Sequence, residues 1–411
     1  MTYQVAIIAD DLTGAGDTAV QFSDAGWAAE LLLGSGDSDA QVVAVTTDSR
    51  ACADADAAKR VRRTTEELLR GGAPRLYKKI DSTLRGPVRA EIDALLDALP
   101  RGVVAVVCPS FPDVGRTLVD GTLLVNGRPV AETAAGKDPV TPVTESHLPT
   151  LLDAAHVRLD PTESPASGAR RVRAAGRIVV LDAADKSELD RVSRVVAELG
   201  DHAVAVGSAG LAEPLATLWR PAGHVHEDVS TAGTRAEPAG VSSTALVVVT
   251  TLHDAAREQA RALTEQGTER RQPSERQLLG DDAWESFVAG VLDAAASQPP
   301  VLLISAPDRT GLEVAPDLVA RRLAEVAARV LRAAEISGLV VTGGDGARAL
   351  LAGVDGTGIR LHDQVAPGVP LGSVVGGWMA GLPIATKAGG FGERDVLIKA
   401  ADAVRPTRSP R

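Results

Sequence analysis

The sequence VAIIADDLTGAGD at residues 5–17 decides the fold class, because it joins an apolar run to a turn rich in carboxylates and small residues. The apolar run Val5–Ala9 is typical of a strand that is buried on both faces of a sheet. Asp10 and Asp11 follow where a strand passes to a helix, the place where open α/β sheets bind ligands. The carboxylates therefore favour a polar ligand, and the alternative is an Asp-rich turn that only caps the next helix.

The rest of the chain repeats the alternation of short apolar runs with longer amphipathic stretches. Helical periodicity is clearest at residues 53–70 and 88–99. This alternation predicts the α/β class, with mainly parallel sheets flanked by helices on both faces. Further strands are predicted at residues 29–33, 42–46, 76–80, 103–108, 178–181, 203–206, 245–250, 301–305, 339–342 and 383–386.

The length of the chain predicts two domains, because 411 residues exceed what one hydrophobic core usually serves. Residues 225–243 mix Pro and Gly with Ser, Thr and Glu and show no apolar period, which predicts a linker. The N-terminal domain is then expected at residues 1–224 and the C-terminal domain at 244–404. Within the second domain, the charged stretch 266–282 predicts a mobile insertion, and residues 405–411 predict a frayed tail.

The composition excludes several classes of protein. Hydrophobic residues make up 45% and charged residues 24%, which is ordinary for a soluble globular protein. The net charge of -11 disfavours nucleic acid and anionic membranes as partners, and no apolar stretch approaches the roughly 20 residues of a membrane helix. The two cysteines, Cys52 and Cys108, are far apart and support neither a disulfide framework nor a zinc cluster. We therefore expect a cytoplasmic protein with no nucleic-acid or membrane partner.

A second polar cluster follows the predicted strand at residues 76–80. Lys79, Ser82 and Arg85 offer hydrogen-bond donors that suit a carboxylate or a phosphate. Asp81 would orient one of these donors. The alternative is a helix cap with surface salt bridges, and the pattern leaves both open.

A long connection rich in Pro, Gly and Asp begins after Cys108. Loops of this length inside compact domains are often functional. We expect Arg116 and Asp120 to face a ligand there.

Two glycine-rich turns follow predicted strands in the second half of the chain. Glycines allow close approach of the backbone, and the N–H groups at a helix start form a cradle for anions. The two turns together favour a phosphate-binding site. The residues assigned to it are Gly343, Gly344, Asp345, Gly346, Lys387, Gly389 and Gly390.

Taken in order, these motifs resemble the four-carbon acid sugar kinase family, which phosphorylates tetronates such as threonate and erythronate with ATP. The resemblance covers nearly the whole chain. The matching segments are ADDLTGAGD, KIDSTLRG, CPSFPDVGRTLVDG with its DPVTP continuation, GSAGLA, TGGDG, PGVPLG and KAGGFG.

The resemblance implies two α/β domains with the active site in the cleft between them. The N-terminal domain would hold the acid, of threonate, erythronate or 3-oxo-tetronate type, and the C-terminal domain would hold ATP. Mg²⁺ would bridge the ATP phosphates, with no dedicated metal ligands from the protein. The catalytic residues would be Asp10, Asp11 and Arg85, with one aspartate as the base. The acid-binding residues would be Lys79, Asp81, Ser82 and Arg116. Nucleotide contacts would come from the two glycine-rich turns and from Thr251.

Two turns depart from the family pattern, and two other functions stay open. Residues 250–254 replace a Gly-Ser-rich turn, and Ala388 replaces a serine. An NAD-dependent oxidoreductase of a small hydroxy acid could use the GxGxxA pattern at residues 14–19. A non-catalytic sugar-acid-binding protein would explain the altered turns. The pattern selects neither the acid, nor the hydroxyl that is phosphorylated, nor the aspartate that acts as base, and it leaves a homodimer open.

Overall fold

The chain divides into two compact units, residues 1–227 and 228–411. The computed structural model describes residues 3–34, 38–138, 140–220, 244–308 and 314–405. The predicted linker at 225–243 and residues 406–411 of the predicted tail lie outside the described residues.

The first unit alternates strands and helices, as the sequence predicts. Its strands are β1 (Val5–Ala9), β2 (Ala29–Leu32), β3 (Val42–Thr46), β4 (Arg75–Lys79), β5 (Val104–Cys108), β6 (Arg116–Val119), β7 (Thr122–Val125), β8 (Arg128–Pro129), β9 (Ala155–Val157), β10 (Ile178–Leu181) and β11 (Ala203–Gly207). Its helices are α1 (Leu12–Asp24), α2 (Asp54–Arg70), α3 (Val88–Ala98), α4 (Leu148–Leu152), α5 (Pro165–Ala175), α6 (Lys186–Leu199) and α7 (Ala209–Leu218).

Eight strands of this unit form a sheet in the order β2-β3-β1-β4-β11-β5-β10-β9, and all neighbouring pairs are parallel. Every residue of β1 is buried, as expected for a parallel strand covered on both faces. Because β1 lies between β3 and β4, Ala9 pairs with both Thr46 and Lys79. The segments that follow these three strands therefore leave the sheet side by side.

The helices bury one apolar face against this sheet. In α2 the buried positions are Ala57, Val61, Thr65 and Leu68, which recur at helical spacing on one side. Val61 joins a hydrophobic core with Ile8 of β1 and residues of α3. The glycines of the GxGxxA pattern lie inside α1, where Gly14 and Gly16 are buried. The first turn therefore does not form the loop before a helix that a dinucleotide pyrophosphate needs.

The connection after Cys108 is folded rather than an open loop. It contains a small antiparallel sheet, β6-β7-β8, whose Leu118 and Leu123 are fully buried. These strands are short and only partly buried, so they lack the continuous apolar run that reveals the four-residue strands β2 and β10, and the sequence did not show them. Asp120, expected to face a ligand, lies at the exposed turn between β6 and β7 and pairs with Arg158.

The second unit also alternates strands and helices. Its strands are β12 (Ala245–Val249), β13 (Arg270–Arg271), β14 (Val301–Ser305), β15 (Gly338–Thr342), β16 (Gly358–Ala366), β17 (Val369–Val375) and β18 (Pro383–Lys387). Its helices are α8 (Asp254–Glu265), α9 (Glu275–Leu279), α10 (Asp281–Ala296), α11 (Pro316–Ala333), α12 (Gly344–Gly353) and α13 (Val396–Ala403).

Its strands follow the order β13-β14-β12-β15-β18-β17-β16, parallel from β13 to β18, with β17 antiparallel to both of its neighbours. The sequence predicts a mobile insertion at residues 266–282, whereas the structure gives this stretch regular elements. This stretch contains β13 and α9, which begins with a capping box between Ser274 and Gln277. Leu278 is fully buried and anchors the segment.

The α/β class is confirmed, and each predicted strand is present with ends within one residue of those expected. The strands that were missed are β6 to β9, β13, β16 and β17. These are short or lie in the antiparallel part, where continuous apolar runs are absent.

Candidate functional site

Three segments meet where β1, β3 and β4 end, and backbone hydrogen bonds hold two of them together. The Thr47 N–H donates to the Ala9 carbonyl at 2.8 Å, and the Ser49 N–H donates to the Asp10 carbonyl at 3.0 Å. The segment after β3 is therefore hydrogen-bonded to the turn that follows β1. This brings Arg50, which the sequence analysis did not single out, next to the two aspartates.

Arg50 joins three carboxylates. Its Nε donates to Asp10 Oδ2 at 2.6 Å and its Nη1 donates to Asp11 Oδ2 at 2.7 Å, while Nη2 lies 3.5 Å from Asp81 Oδ1. Burial alone would lower the pKa of Arg50, but these carboxylates raise it well above its ordinary value. The only signal in the sequence is its place four residues after a strand that neighbours β1, which requires the strand order to be known.

Asp11 has its carboxylate oxygens occupied. It is the N-cap of α1, since Oδ1 accepts from the Gly14 N–H at 2.8 Å, and Oδ2 accepts from the Thr13 hydroxyl at 2.7 Å. Burial raises the pKa of Asp11, but Arg50, Lys79 and the Thr13 hydrogen bond outweigh it and lower the pKa overall. The capping alternative is therefore realised at Asp11, together with the ion pair to Arg50.

Asp10 differs from its neighbour in having one oxygen without a partner. Asp10 is only 2% exposed, and its Oδ2 accepts a hydrogen bond from Arg50. Oδ1 is buried and accepts no hydrogen bond within the described part of the chain. An unsatisfied buried acceptor costs about 1–3 kcal/mol, so a donor from a ligand would bind there favourably.

Asp81 organises the turn after β4. Its carboxylate accepts from the Thr83 N–H at 3.2 Å and from two nitrogens of Arg85, each at 2.9 Å. Arg85 also lies 3.4 Å from Asp138. Burial raises the pKa of Asp81, but Arg85 and Arg50 hold it well below its ordinary value. The pair is buried on the Asp81 side, so it is not a surface salt bridge.

Lys79 and Ser82 are the open donors of this site. They are 4% and 6% exposed, and neither forms a hydrogen bond or an ion pair with any residue that the structure describes. The Lys79 ammonium lies against Gly14, where a Cβ would come within 2.7 Å of Nζ and 2.6 Å of Asp11 Oδ1. Together with Asp10 Oδ1, these groups form one acceptor and two donors at the ends of β1 and β4.

Arg116 lies at the start of β6, and its guanidinium donates to the Val114 carbonyl. Burial lowers the pKa of Arg116, while the charge of Asp81 acts on it in the opposite direction and that of Arg85 adds to the lowering. The structure therefore brings Arg116 into electrostatic range of the Asp81–Arg85 pair.

In the second unit, the helix α12 begins directly after β15 and packs closely on Thr250. The Thr250 hydroxyl donates to the Thr342 carbonyl at 2.6 Å. A Cβ at Gly346 would collide with the Thr250 side chain, and Gly343 has φ +95°, a conformation that glycine adopts most easily. The first N–H groups of α12 have no partner within the helix and carry its positive end. They fit the predicted anion cradle at residues 343–346.

The ammonium of Lys387 holds the second glycine-rich turn, residues 388–392, by donating to its carbonyls. Lys387 is fully buried, and its Nζ donates to the carbonyls of Ala388, Gly389 and Phe391 at 2.7, 3.1 and 3.0 Å. Burial lowers the pKa of Lys387 to about 7. In this structure the ammonium shapes the turn, and the predicted phosphate contact would come from the turn's backbone. A Cβ at Gly389 would lie 2.7 Å from Thr251 Oγ1, so this turn and the Thr251 segment are close neighbours.

The chain matches two family models that together cover most of its length. The model described as "Sugar-binding N-terminal domain" matches residues 5–215, and the model described as "Nucleotide-binding C-terminal domain" matches residues 246–397. The first contains the aspartate and arginine cluster, and the second contains both glycine-rich turns.

Three relatives align over nearly their whole length. A D-threonate kinase of Bordetella bronchiseptica is 49% identical, with 98% of each chain covered. A D-threonate kinase of Salmonella typhimurium is 30% identical, with 97% of each covered. A D-erythronate kinase of Heliobacterium modesticaldum is 32% identical, covering 97% of this chain and 96% of that protein.

Solved structures support the fold. A DUF1537 protein of Bordetella bronchiseptica, described as a domain-swapped dimer with bound citrate, is 48% identical with a TM-score of 0.52, covering 98% of this chain and 99% of that chain. A Haemophilus influenzae protein of the same family is 22% identical with a TM-score of 0.70, covering 97% of this chain and 100% of that chain. The latter likeness bears on the fold alone.

Proposed function

Because the chain belongs to the four-carbon acid sugar kinase family, we propose that it transfers the terminal phosphoryl group of ATP to the terminal hydroxyl of a four-carbon sugar acid. D-threonate is the first candidate, since the relative at 49% identity carries that name. The observation that carries the proposal is the set of open polar groups after β1 and β4. One buried acceptor and two donors match a ligand that has both hydroxyls and a carboxylate.

The acid is held by groups that have no other partner in the described structure. Lys79 Nζ and the Ser82 hydroxyl donate to the ligand carboxylate, and Asp10 Oδ1 accepts from a ligand hydroxyl. Arg85 and Arg116 flank this set and add positive charge. Arg50 does not need to touch the acid. Its nitrogens already donate to the carboxylates of Asp10 and Asp11 and hold them in place.

Asp10 is the better candidate for the base. A general base must reach the proton of the attacking hydroxyl with a free oxygen. Asp10 has such an oxygen in Oδ1, whereas both oxygens of Asp11 accept hydrogen bonds within the protein. Asp11 instead caps α1 and helps to orient Arg50. This division of roles distinguishes two aspartates that the sequence leaves equivalent.

The nucleotide is assigned to the second unit. The phosphates would bind the N–H groups at residues 343–346 and at Gly389 and Gly390, with the Thr251 hydroxyl as a further donor. Where the structure describes the chain, it holds no group of three or more His, Cys, Asp or Glu side chains that could bind a metal. Mg²⁺ would therefore be carried mainly by the ATP phosphates, where it neutralises their charge.

Phosphoryl transfer to a panel of acids tests the proposal. The protein is incubated with ATP, Mg²⁺ and either D-threonate, D-erythronate or a 3-oxo-tetronate. ADP release measures turnover, and ³¹P NMR of the product locates the phosphate. We expect one acid to be phosphorylated on its terminal hydroxyl. Binding of an acid without ADP release would instead favour a sugar-acid-binding protein, and NADH formation in a parallel incubation of the protein with the acid and NAD⁺ would favour the oxidoreductase.

We also propose that the protein is a cytoplasmic homodimer. Kinases of this kind use ATP, which is a cytoplasmic metabolite, and both cysteines are free thiols. The described part of the chain contains no helix long and apolar enough to cross a membrane. The dimer rests on the description of the Bordetella bronchiseptica structure. Light scattering of the purified chain should give twice its 42.4 kDa.

A further inference from the structure

An ion pair lies in the core of the first unit, between α3 and β4, the strand that ends at Lys79. Lys78 Nζ and Glu91 Oε2 are 2.6 Å apart, and their side chains are 0% and 2% exposed. Lys78 belongs to β4 and Glu91 to the first turn of α3. Replacing a buried ion pair by apolar residues of similar size is often neutral or stabilising, so stability alone does not account for this pair.

The pair is connected to two cations of the site, Arg50 and Lys79, through the residue that precedes each of them. Glu91 Oε1 accepts from the Ser49 hydroxyl, and Ser49 precedes Arg50. Lys78 precedes Lys79, and its Nζ also donates to the Lys79 carbonyl at 3.0 Å. One carboxylate on α3 thus ties the segment after β3 to the end of β4.

The same chain of hydrogen bonds reaches the first aspartate. Because the Ser49 hydroxyl donates to Glu91, the Thr47 hydroxyl donates to Ser49 Oγ at 2.6 Å, and the Thr47 N–H donates to the Ala9 carbonyl at 2.8 Å. Ala9 precedes Asp10. The network therefore ends one residue before Asp10, Arg50 and Lys79.

We propose that Glu91 is a positioning residue that fixes the spacing of Arg50, Lys79 and Asp10 at the acid site. This inference rests on the proposed function for its kinetic readout. Glu91 touches no ligand, and it acts by holding Ser49 and Lys78 at a set separation. Loss of the network would leave the sheet intact but let the segment at residues 47–52 move.

Two variants weaken the network, in whole or in part, without leaving a buried charge alone. The double substitution Lys78→Met with Glu91→Leu replaces the ion pair by apolar side chains of similar length. Ser49→Ala removes one tie and keeps the ion pair. Asp93→Asn is the matched control, because it breaks the 2.6 Å ion pair with Arg89 on the exposed side of the same helix.

Two measurements read the outcome. Steady-state kinetics should show the KM for the acid raised about tenfold or more in the double variant, with the KM for ATP within about twofold. The second measurement needs no substrate, since Cys52 is half-buried near the end of the segment and Cys108 is fully buried. Labelling of the Cys52 thiol should be faster in the double variant and in Ser49→Ala, and unchanged in Asp93→Asn.

The outcomes separate the inference from the proposed function. If the folded double variant and Ser49→Ala keep both the wild-type acid KM and the wild-type Cys52 labelling rate, Glu91 has no positioning role. If the wild-type protein phosphorylates none of the acids, the proposed function fails, and the labelling rates alone decide the inference. Melting curves show whether each variant is folded.

Discussion

Asp10→Asn should nearly abolish phosphoryl transfer while leaving the protein folded. The substitution keeps the size of the side chain but removes the carboxylate whose Oδ1 has no partner in the described structure. A positioned general base contributes about 10²–10⁴ in rate, so kcat should fall by that factor, which corresponds to a barrier raised by about 3–5 kcal/mol. ADP release at saturating acid and ATP measures kcat, and calorimetric titration with ATP should show unchanged binding.

Asp11→Asn is the comparison that makes this prediction refutable. Asn caps a helix about as well as Asp, and Arg50 would keep its bond to Asp10. We expect kcat to fall less than about tenfold. If Asp11→Asn loses more activity than Asp10→Asn, the assignment of the base from the unoccupied oxygen is wrong.

Three further predictions concern other parts of the structure. Gly346→Ala forces a Cβ into Thr250 and should weaken ATP binding about tenfold, whereas Gly353→Ala at the end of the same helix should not; titration calorimetry decides. Ion pairs hold the pKa of Asp81 below its ordinary 3.8, so its carboxylate stabilises the fold above that pH and the contribution is lost as pH falls. Asp81→Asn should therefore flatten the fall in Tm between about pH 5 and about pH 3. Lys387→Met leaves three carbonyls without their donor and should cost about 2–4 kcal/mol in urea unfolding, with a raised KM for ATP.

Local patterns predicted most of the strands and the first turn, because these depend on residues that are near in sequence. The apolar run before Asp10 fits a strand between two parallel neighbours, and the polar cluster after β4 does lie at a strand end. The parallel strands were found since burial on both faces makes them continuous apolar runs.

The features of the site that the sequence did not predict depend on which strands become neighbours in the sheet. Arg50 belongs to the site only because β3 lies beside β1, and no motif around it states that order. The distinct states of Asp10 and Asp11 follow from which oxygens find partners, which a sequence does not show. Lys387 shows a related limit: its place beside a glycine-rich turn predicts a phosphate contact, but only the structure shows that its buried ammonium donates to carbonyls of that turn.

The balance of charge around Arg50 bears on how the protein selects its ligand. The carboxylates of Asp10, Asp11, Asp81 and Asp138 are balanced there by the cations Arg50, Lys79, Arg85 and Arg116, so this group of side chains is close to neutral overall. A nearly neutral site exerts little long-range attraction on an anion, and association should depend only weakly on ionic strength. Discrimination between different acids then depends on short, directional contacts with their hydroxyl groups. Epimeric acids of equal charge should consequently differ in affinity more than the same acid does between low and high salt.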